Sequence, residues 1–240
     1  MRKKQSKNVI PLAAMVLLLA TMTLYGQDKS VAPGVNKPFQ KPNVAEFQGK
    51  FEKEGREAFD HRDKIVEACR LHAGMAVADV GAGTGLFTRM FAARVGDKGQ
   101  VFAVDISREF VDHIEHTARK ENLKNIQGIV CTPESVGLPE AYVDLVFICD
   151  TYHHFEFPQK TMQSIYRALK PGGRVLLVDY QRIAGKSTDW VMSHVRAGQE
   201  AVEKEITECG FKKTTEIKDL LQENYMIVFE KAPRIGPGDQ

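Results

Sequence analysis

Apolar positions along this chain fall into two alternating rhythms. Short, mostly apolar runs occupy residues 75–80, 101–104, 126–131, 143–149 and 175–178, as strands buried in a parallel sheet do. Between them apolar residues recur at helical spacing: Leu86, Met90 and Phe91, then Phe110, Val111 and Ile114, then Met162, Ile165, Tyr166 and Leu169. Ser107 stands where it can cap the second of these helices and Pro158 where it can start the third. A longer helical region covers 189–208 and ends at Gly210, before two last strands at 211–217 and 225–229. Ahead of the first strand, Val44, Phe47 and Phe51 share a helix face, and a second helical run over 62–71 carries Ile65, Val66 and Cys69. Strands alternating with helices predict a doubly wound α/β fold with a mostly parallel sheet, preceded by N-terminal helices.

Composition makes the body of the chain an ordinary globular one. Charged residues are 27% and hydrophobic ones 43% of 240 residues, enough for one domain with a real core. The formal charge of +2 gives no electrostatic footprint for nucleic acid, and without Arg2, Lys3, Lys4 and Lys7 it becomes −2. Those four cations precede an apolar run over 9–20, and no charge follows until Asp28. A basic start before an apolar run predicts a signal peptide over 1–26 that exports the domain to a periplasmic or extracellular location. An uncleaved membrane anchor is the rival, and it alone would make a membrane a partner. A translation start at Met15 or Met22 would instead leave the protein cytoplasmic. Pro33, Pro38 and Pro42 mark 27–43 as an extended linker, which leaves cap helices over 44–71, the main domain over 72–232 and a tail over 233–240. Cys69, Cys131, Cys149 and Cys209 show neither metal-ligand spacing nor a favoured pairing.

The chemistry concentrates at strand ends. The first strand runs into VADVGAGTGLFT, with Gly81, Gly83 and Gly85 spaced G-x-G-x-G and the acid Asp79 inside the strand. Glycine lets a ligand approach the main chain closely, although a plain strand-to-helix turn uses glycine too. Asp105 closes the second strand about twenty residues past that turn, where nucleotide-binding folds place an acid on a ribose. After the fourth strand come Asp150, Thr151, Tyr152, His153, His154 and Phe155, at the edge where open α/β sheets bind ligands. A histidine there can act as a base near neutral pH. The turn toward Pro158 favours burying His154 beside Phe155 and leaving His153 nearer the pocket. Two adjacent histidines alone are too few ligands for a metal, so no metal is expected. Tyr180, Arg182, His194 and Arg196 lie where this fold closes over substrates, but their spacing fixes no role.

From about residue 62 to 231 the sequence resembles the class I S-adenosylmethionine-dependent methyltransferases of the small-molecule type. Residues 77–85 resemble the family's first motif, 101–105 its ribose-binding strand, and 143–155 its fourth strand and the motif after it; Leu169-Lys-Pro-Gly-Gly-Arg174 resembles its L-x-P-G-G turn. The resemblance implies a Rossmann-like sheet of seven strands with the last antiparallel. It implies that the loop at Gly81, Ala82, Gly83, Thr84 and Gly85 meets the methionine part of the cofactor, and Asp105 with Ile106 the ribose. Asp79 and Asp150 would lie near its amino end, and Asp150, Tyr152, His153 and His154 beside the methyl acceptor. Where the family often has an aspartate toward adenine this chain has Thr132, with Glu134 as a substitute. The expected activity is methyl transfer from S-adenosyl-L-methionine to a small molecule. The alternatives are an exported, non-catalytic domain of the same fold that binds another ligand, and a nicotinamide-dependent oxidoreductase, which G-x-G-x-G and Asp79 disfavour. Acceptor and oligomeric state are not encoded legibly.

Overall fold

The computed structural model describes residues 27–233. The basic and apolar segment over 1–26, on which the export expectation rests, lies outside them. Among the described residues no helix is long and apolar enough to cross a membrane. The elements run α1 (Val44–Phe51), α2 (Glu57–Asp60), α3 (Arg62–Ala68), β1 (Ala76–Val80), α4 (Leu86–Val95), β2 (Gln100–Asp105), α5 (Arg108–Lys120), β3 (Ile126–Val130) and β4 (Val143–Cys149). Then follow α6 (Pro158–Ala168), β5 (Leu169–Tyr180), α7 (Asp189–His194), α8 (Gln199–Glu208), β6 (Phe211–Glu216) and β7 (Asn224–Lys231).

The seven strands form one sheet in the order β3-β2-β1-β4-β5-β7-β6. Every pairing is parallel except those of β7, which runs against both β5 and β6. Both faces are buried, which is why the strand runs are apolar without strict alternation. In β4, Val146 and Ile148 join a core beneath α6 and α8 that includes Met162, Ile165 and Ile206. Leu145 and Phe147 face the opposite layer, where Phe87 and Phe91 of α4 and Ile65 of α3 pack. Burying one such aromatic ring is worth about 1.5–3 kcal/mol, so these two layers set the fold and hold the strand ends in register.

Three expectations change. The helical region over 189–208 is two helices, because Val195 and Gly198 take extended backbone angles between them. The Pro171-Gly-Gly turn lies inside the fifth strand rather than before it. Leu169 pairs with Val143 and Arg174 with Leu145, so residues 170–173 loop out opposite the single residue Asp144. The Asp144 carboxylate holds that excursion by accepting from Lys170 Nζ at 2.8 Å and 2.9 Å and from the Ala76 amide at 2.8 Å. Finally, residues 27–43 are a packed strap rather than a free linker. The Val31 amide donates to the Glu156 carbonyl at 2.9 Å, and Asn36 Nδ2 donates to the His154 carbonyl at 3.1 Å.

Candidate active site

The carboxyl ends of β1, β2, β4 and β5 open into one cavity of about 530 Å³. It sits where the strand order reverses between β1 and β4, the place open α/β sheets bind ligands. Small-molecule sites commonly measure about 300–1,000 Å³.

The glycine turn forms one wall. Gly81 has φ +77° and Gly83 φ +55°, angles that a Cβ makes costly. A Cβ on Gly81 would also stand 2.2 Å from the Thr151 side chain. The amides of Gly81 and Ala82 donate to the Val104 carbonyl at 2.8 Å and 3.2 Å, which ties the turn to the end of β2. There the Asp105 carboxylate accepts from the Gly83 amide at 2.9 Å and the Ser107 amide at 2.8 Å. Each oxygen still has a lone pair for a ligand hydroxyl. Burial nonetheless lifts Asp105 to about 6. Asp79, 3% exposed, accepts from Thr88 Oγ1 at 2.6 Å, and burial pushes it up to about 7. Asp79, Gly81, Ala82, Gly83, Thr84, Asp105, Ile106 and Thr132 all line the cavity. Gly85 and Glu134 do not. Gly85 serves helix packing, since a Cβ there would meet Ile114 at 2.7 Å, and Glu134 turns outward to Lys160 Nζ at 3.1 Å.

The other wall follows β4. Asp150 sits at φ +48° and both its oxygens are engaged. Oδ2 meets Arg56 Nη2 at 2.5 Å and Oδ1 accepts from Asn224 Nδ2 at 2.6 Å. Burial raises the Asp150 carboxyl above its ordinary value, and the Arg56 guanidinium opposes that rise. Tyr152 is fully buried away from the cavity, where its hydroxyl donates to Glu205 Oε2 at 3.0 Å; it is a core residue.

Both histidines line the cavity, but not as expected. His153 is the buried one, at 3% exposure, while His154 is half-buried. The cause is Asp179, one residue before the end of β5. Its carboxylate accepts from the His153 amide at 3.1 Å and lies 2.7 Å from Nδ1. Burial disfavours the His153 imidazolium, yet Asp179 outweighs it and holds the ring above its ordinary pKa. Burial, reinforced by His153 and His194, depresses His154 to about 3. Phe155 packs on Tyr152 at 5.1 Å instead of on His154. Tyr180 and His194 line the same end. Arg196 instead holds both oxygens of Glu205, and Arg182 donates to the Met192 carbonyl.

The cap and strap supply a roof. Phe39, Phe47 and Phe51 gather on Phe110 of α5 with ring centroids 5.3–6.4 Å apart. Glu52 follows α1 and accepts from Thr84 Oγ1 at 2.8 Å while pairing with Arg89 at 2.9 Å. Asp179, Arg56, Asn224 and Glu52 escaped the sequence reading. The strand-end rule that found Asp105 also finds Asp179; the other three meet partners far away in the same sequence and carry no local signal.

Residues 78–177 match the family described as "Methyltransferase domain". The ubiquinone/menaquinone biosynthesis C-methyltransferase UbiE of Vibrio vulnificus is 30% identical over 110 residues, 45% of this chain and 42% of that protein. The match thus spans less than half the length of that relative. A SAM-dependent methyltransferase from Aquifex aeolicus superposes with TM-score 0.70 at 23% identity, covering 80% of this chain and all of that one. The [4+2]-cyclase SpnF superposes with TM-score 0.63 at 17% identity, covering 75% of this chain and 85% of that one. At these identities the two structures show the fold alone. Residues 78–177 match a methyltransferase domain, and the sheet order and reversed β7 around them are those of the Rossmann-like methyltransferase fold.

Proposed function

We propose that this protein transfers a methyl group from S-adenosyl-L-methionine to a small aromatic molecule. The observation that carries the cofactor half is the Asp105 carboxylate, fixed by the Gly83 and Ser107 amides at the cavity wall with lone pairs to spare. A ribose diol would donate to it. Gly81 and Gly83 leave the main chain bare for the methionine part, Thr132 can accept from an adenine amine, and Asp79 suits the amino end. When bound, the cofactor supplies an electrophilic methyl group on a sulfonium.

The chain's own part in the transfer is orientation and exclusion of water, which in favourable cases lowers a barrier by about 7–11 kcal/mol. Phe39, Phe47, Phe51 and Phe110 cover the cavity, while Tyr180 and Trp190 line its other end. Those rings suit a flat, apolar acceptor, and the quinone chemistry named for the UbiE relative is of that kind. Asp179 on Nδ1 selects the His153 tautomer whose Nε2 lone pair remains available. A domain of this fold that binds without transferring methyl is the second reading, because the [4+2]-cyclase SpnF has the same fold.

Calorimetric titration with S-adenosylmethionine tests the cofactor half. Asp105→Ala should bind more weakly by about 1.5–3 kcal/mol, the range for hydrogen bonds to a charged group. Wild-type affinity in a folded variant overturns the assignment, and preferential binding of a nicotinamide cofactor would make the chain an oxidoreductase. Incubation with a substituted hydroquinone, followed by mass measurement of the product, tests transfer; tight cofactor binding without turnover on any acceptor supports the second reading.

A further inference from the structure

Three imidazoles converge at the acceptor end of the cavity. His153 and His154 follow β4, and His194 closes α7, forty residues later in the chain. One ring nitrogen from each lies within 4.8 Å of the others, and this is the one such group among the described residues. His154 Nε2 and His194 Nε2 are 3.3 Å apart. That is the edge of a tetrahedron whose centre lies about 2.0–2.1 Å from each nitrogen, the usual Zn–N distance. We propose that His153, His154 and His194 hold a divalent transition-metal ion, zinc by the chemistry of the donors, with one coordination position left open to the cavity.

The surroundings are those of a built site rather than a chance meeting of histidines. Nδ1 of His153 is held by the Asp179 carboxylate at 2.7 Å, which leaves its other nitrogen to ligate. A carboxylate behind a histidine fixes ring orientation and raises ligand basicity in metal sites. Trp190 stacks on His194 at 4.7 Å, and Phe39 meets His154 edge-on at 5.1 Å, so two of the rings are braced by apolar neighbours. Asn36 holds the His154 backbone from the strap. Three neutral nitrogen ligands plus an open position is the arrangement of a zinc site that takes a water or a substrate atom. The fourth ligand would be the hydroxyl or thiol of a bound acceptor. The inference goes beyond methyl transfer, because a metal held here binds whether or not the cofactor does.

The test uses the untagged full chain, stripped with a chelator, dialysed, and titrated with zinc chloride by calorimetry and with cobalt chloride by visible absorption. We expect one zinc per chain and the intense visible bands of tetrahedral cobalt. His194→Ala should weaken zinc by at least about 100-fold and abolish the cobalt bands, and Asp179→Asn should weaken zinc by about 10–100-fold. His194 lies at the end of a short outer helix, so its variant reports even if His154→Ala fails to fold. Absence of stoichiometric zinc binding in the wild type, or wild-type affinity in His194→Ala, overturns the site. Titration of the same samples with S-adenosylmethionine separates the questions, since intact cofactor binding without zinc binding removes only the metal.

Discussion

Replacing Asp79 by Asn should make the unliganded protein more stable and the liganded one weaker, and the first effect should grow with pH. Asp79 is 3% exposed, and burial raises its pKa from the ordinary 3.8 to about 7. The folded chain therefore keeps this proton up to near pH 7, while the unfolded chain releases it near pH 4. Because the folded-state value is the higher one, the stability is present below the unfolded pKa and is lost as pH rises through the folded one. The loss is about 1.4 kcal/mol per pH unit, or about 4 kcal/mol in all by pH 8. Asn keeps a carbonyl oxygen for Thr88 Oγ1 but does not ionise, so it escapes this loss. Urea denaturation of both proteins at pH 5, 6.5 and 8 should show the advantage of Asp79→Asn growing by about 3 kcal/mol across the range. The ligand reverses the ranking. A cationic amine or sulfonium favours the ionised carboxylate, so at pH 8 the variant should bind S-adenosylmethionine more weakly by about 1.5–3 kcal/mol. A stability difference that does not change with pH would mean that Asp79 is ionised throughout and would refute the reasoning.

The remaining predictions concern the walls and the ends. Gly81→Ala should lose about 1–2 kcal/mol from its positive φ alone; adding Thr151→Ala should relieve the contact with the new methyl but not that backbone cost, as denaturation of single and double variants would show. Arg56→Ala leaves the Asp150 carboxylate with Asn224 alone and should destabilise by about 3 kcal/mol, with Asp150→Asn in the same chain recovering most of it by thermal denaturation. Native protein should begin near Gln27 and be found outside the cytoplasm; N-terminal sequencing that finds residues 1–26 intact in a membrane fraction would favour the anchor, and a cytoplasmic form starting at Met22 would defeat export.

Legibility followed the range of the interactions. The strands and most helices showed in sequence because their signals are local: the apolar run at 143–149 coincides with β4, and Ser107 and Pro158 start the helices they were expected to start. The glycine turn and Asp105 were equally plain, since a strand end, three glycines and an acid all fall within 30 residues. The order of His153 and His154 was not, because Asp179 decides it from 26 residues away. Thr151 and Phe155 carry no mark of that carboxylate. The strap looked like a linker for a similar reason: prolines and polar residues report that a segment forms no regular structure, and say nothing of whether Glu156 and His154 will hold it. Tyr152 misled in the opposite way, its position in a motif outweighing the fact that a tyrosine after an apolar strand is often simply core.

The cap also has a kinetic meaning. Phe51 of α1 lies so near the glycine turn that a methyl group on Gly83 would come within 3.3 Å of its ring. Glu52 beside it reaches Thr84 and Arg89, and Arg56 reaches Asp150, so the cap is fastened to the ends of two different strands at once. A ligand seated along the turn would lie beneath this clasp, and its release would require the Glu52 and Arg56 fastenings to open. If both must open, residence time would follow the opening rate of the cap more than the contacts of the ligand itself. Turnover limited by that opening would appear as a rapid first round followed by a slower steady state.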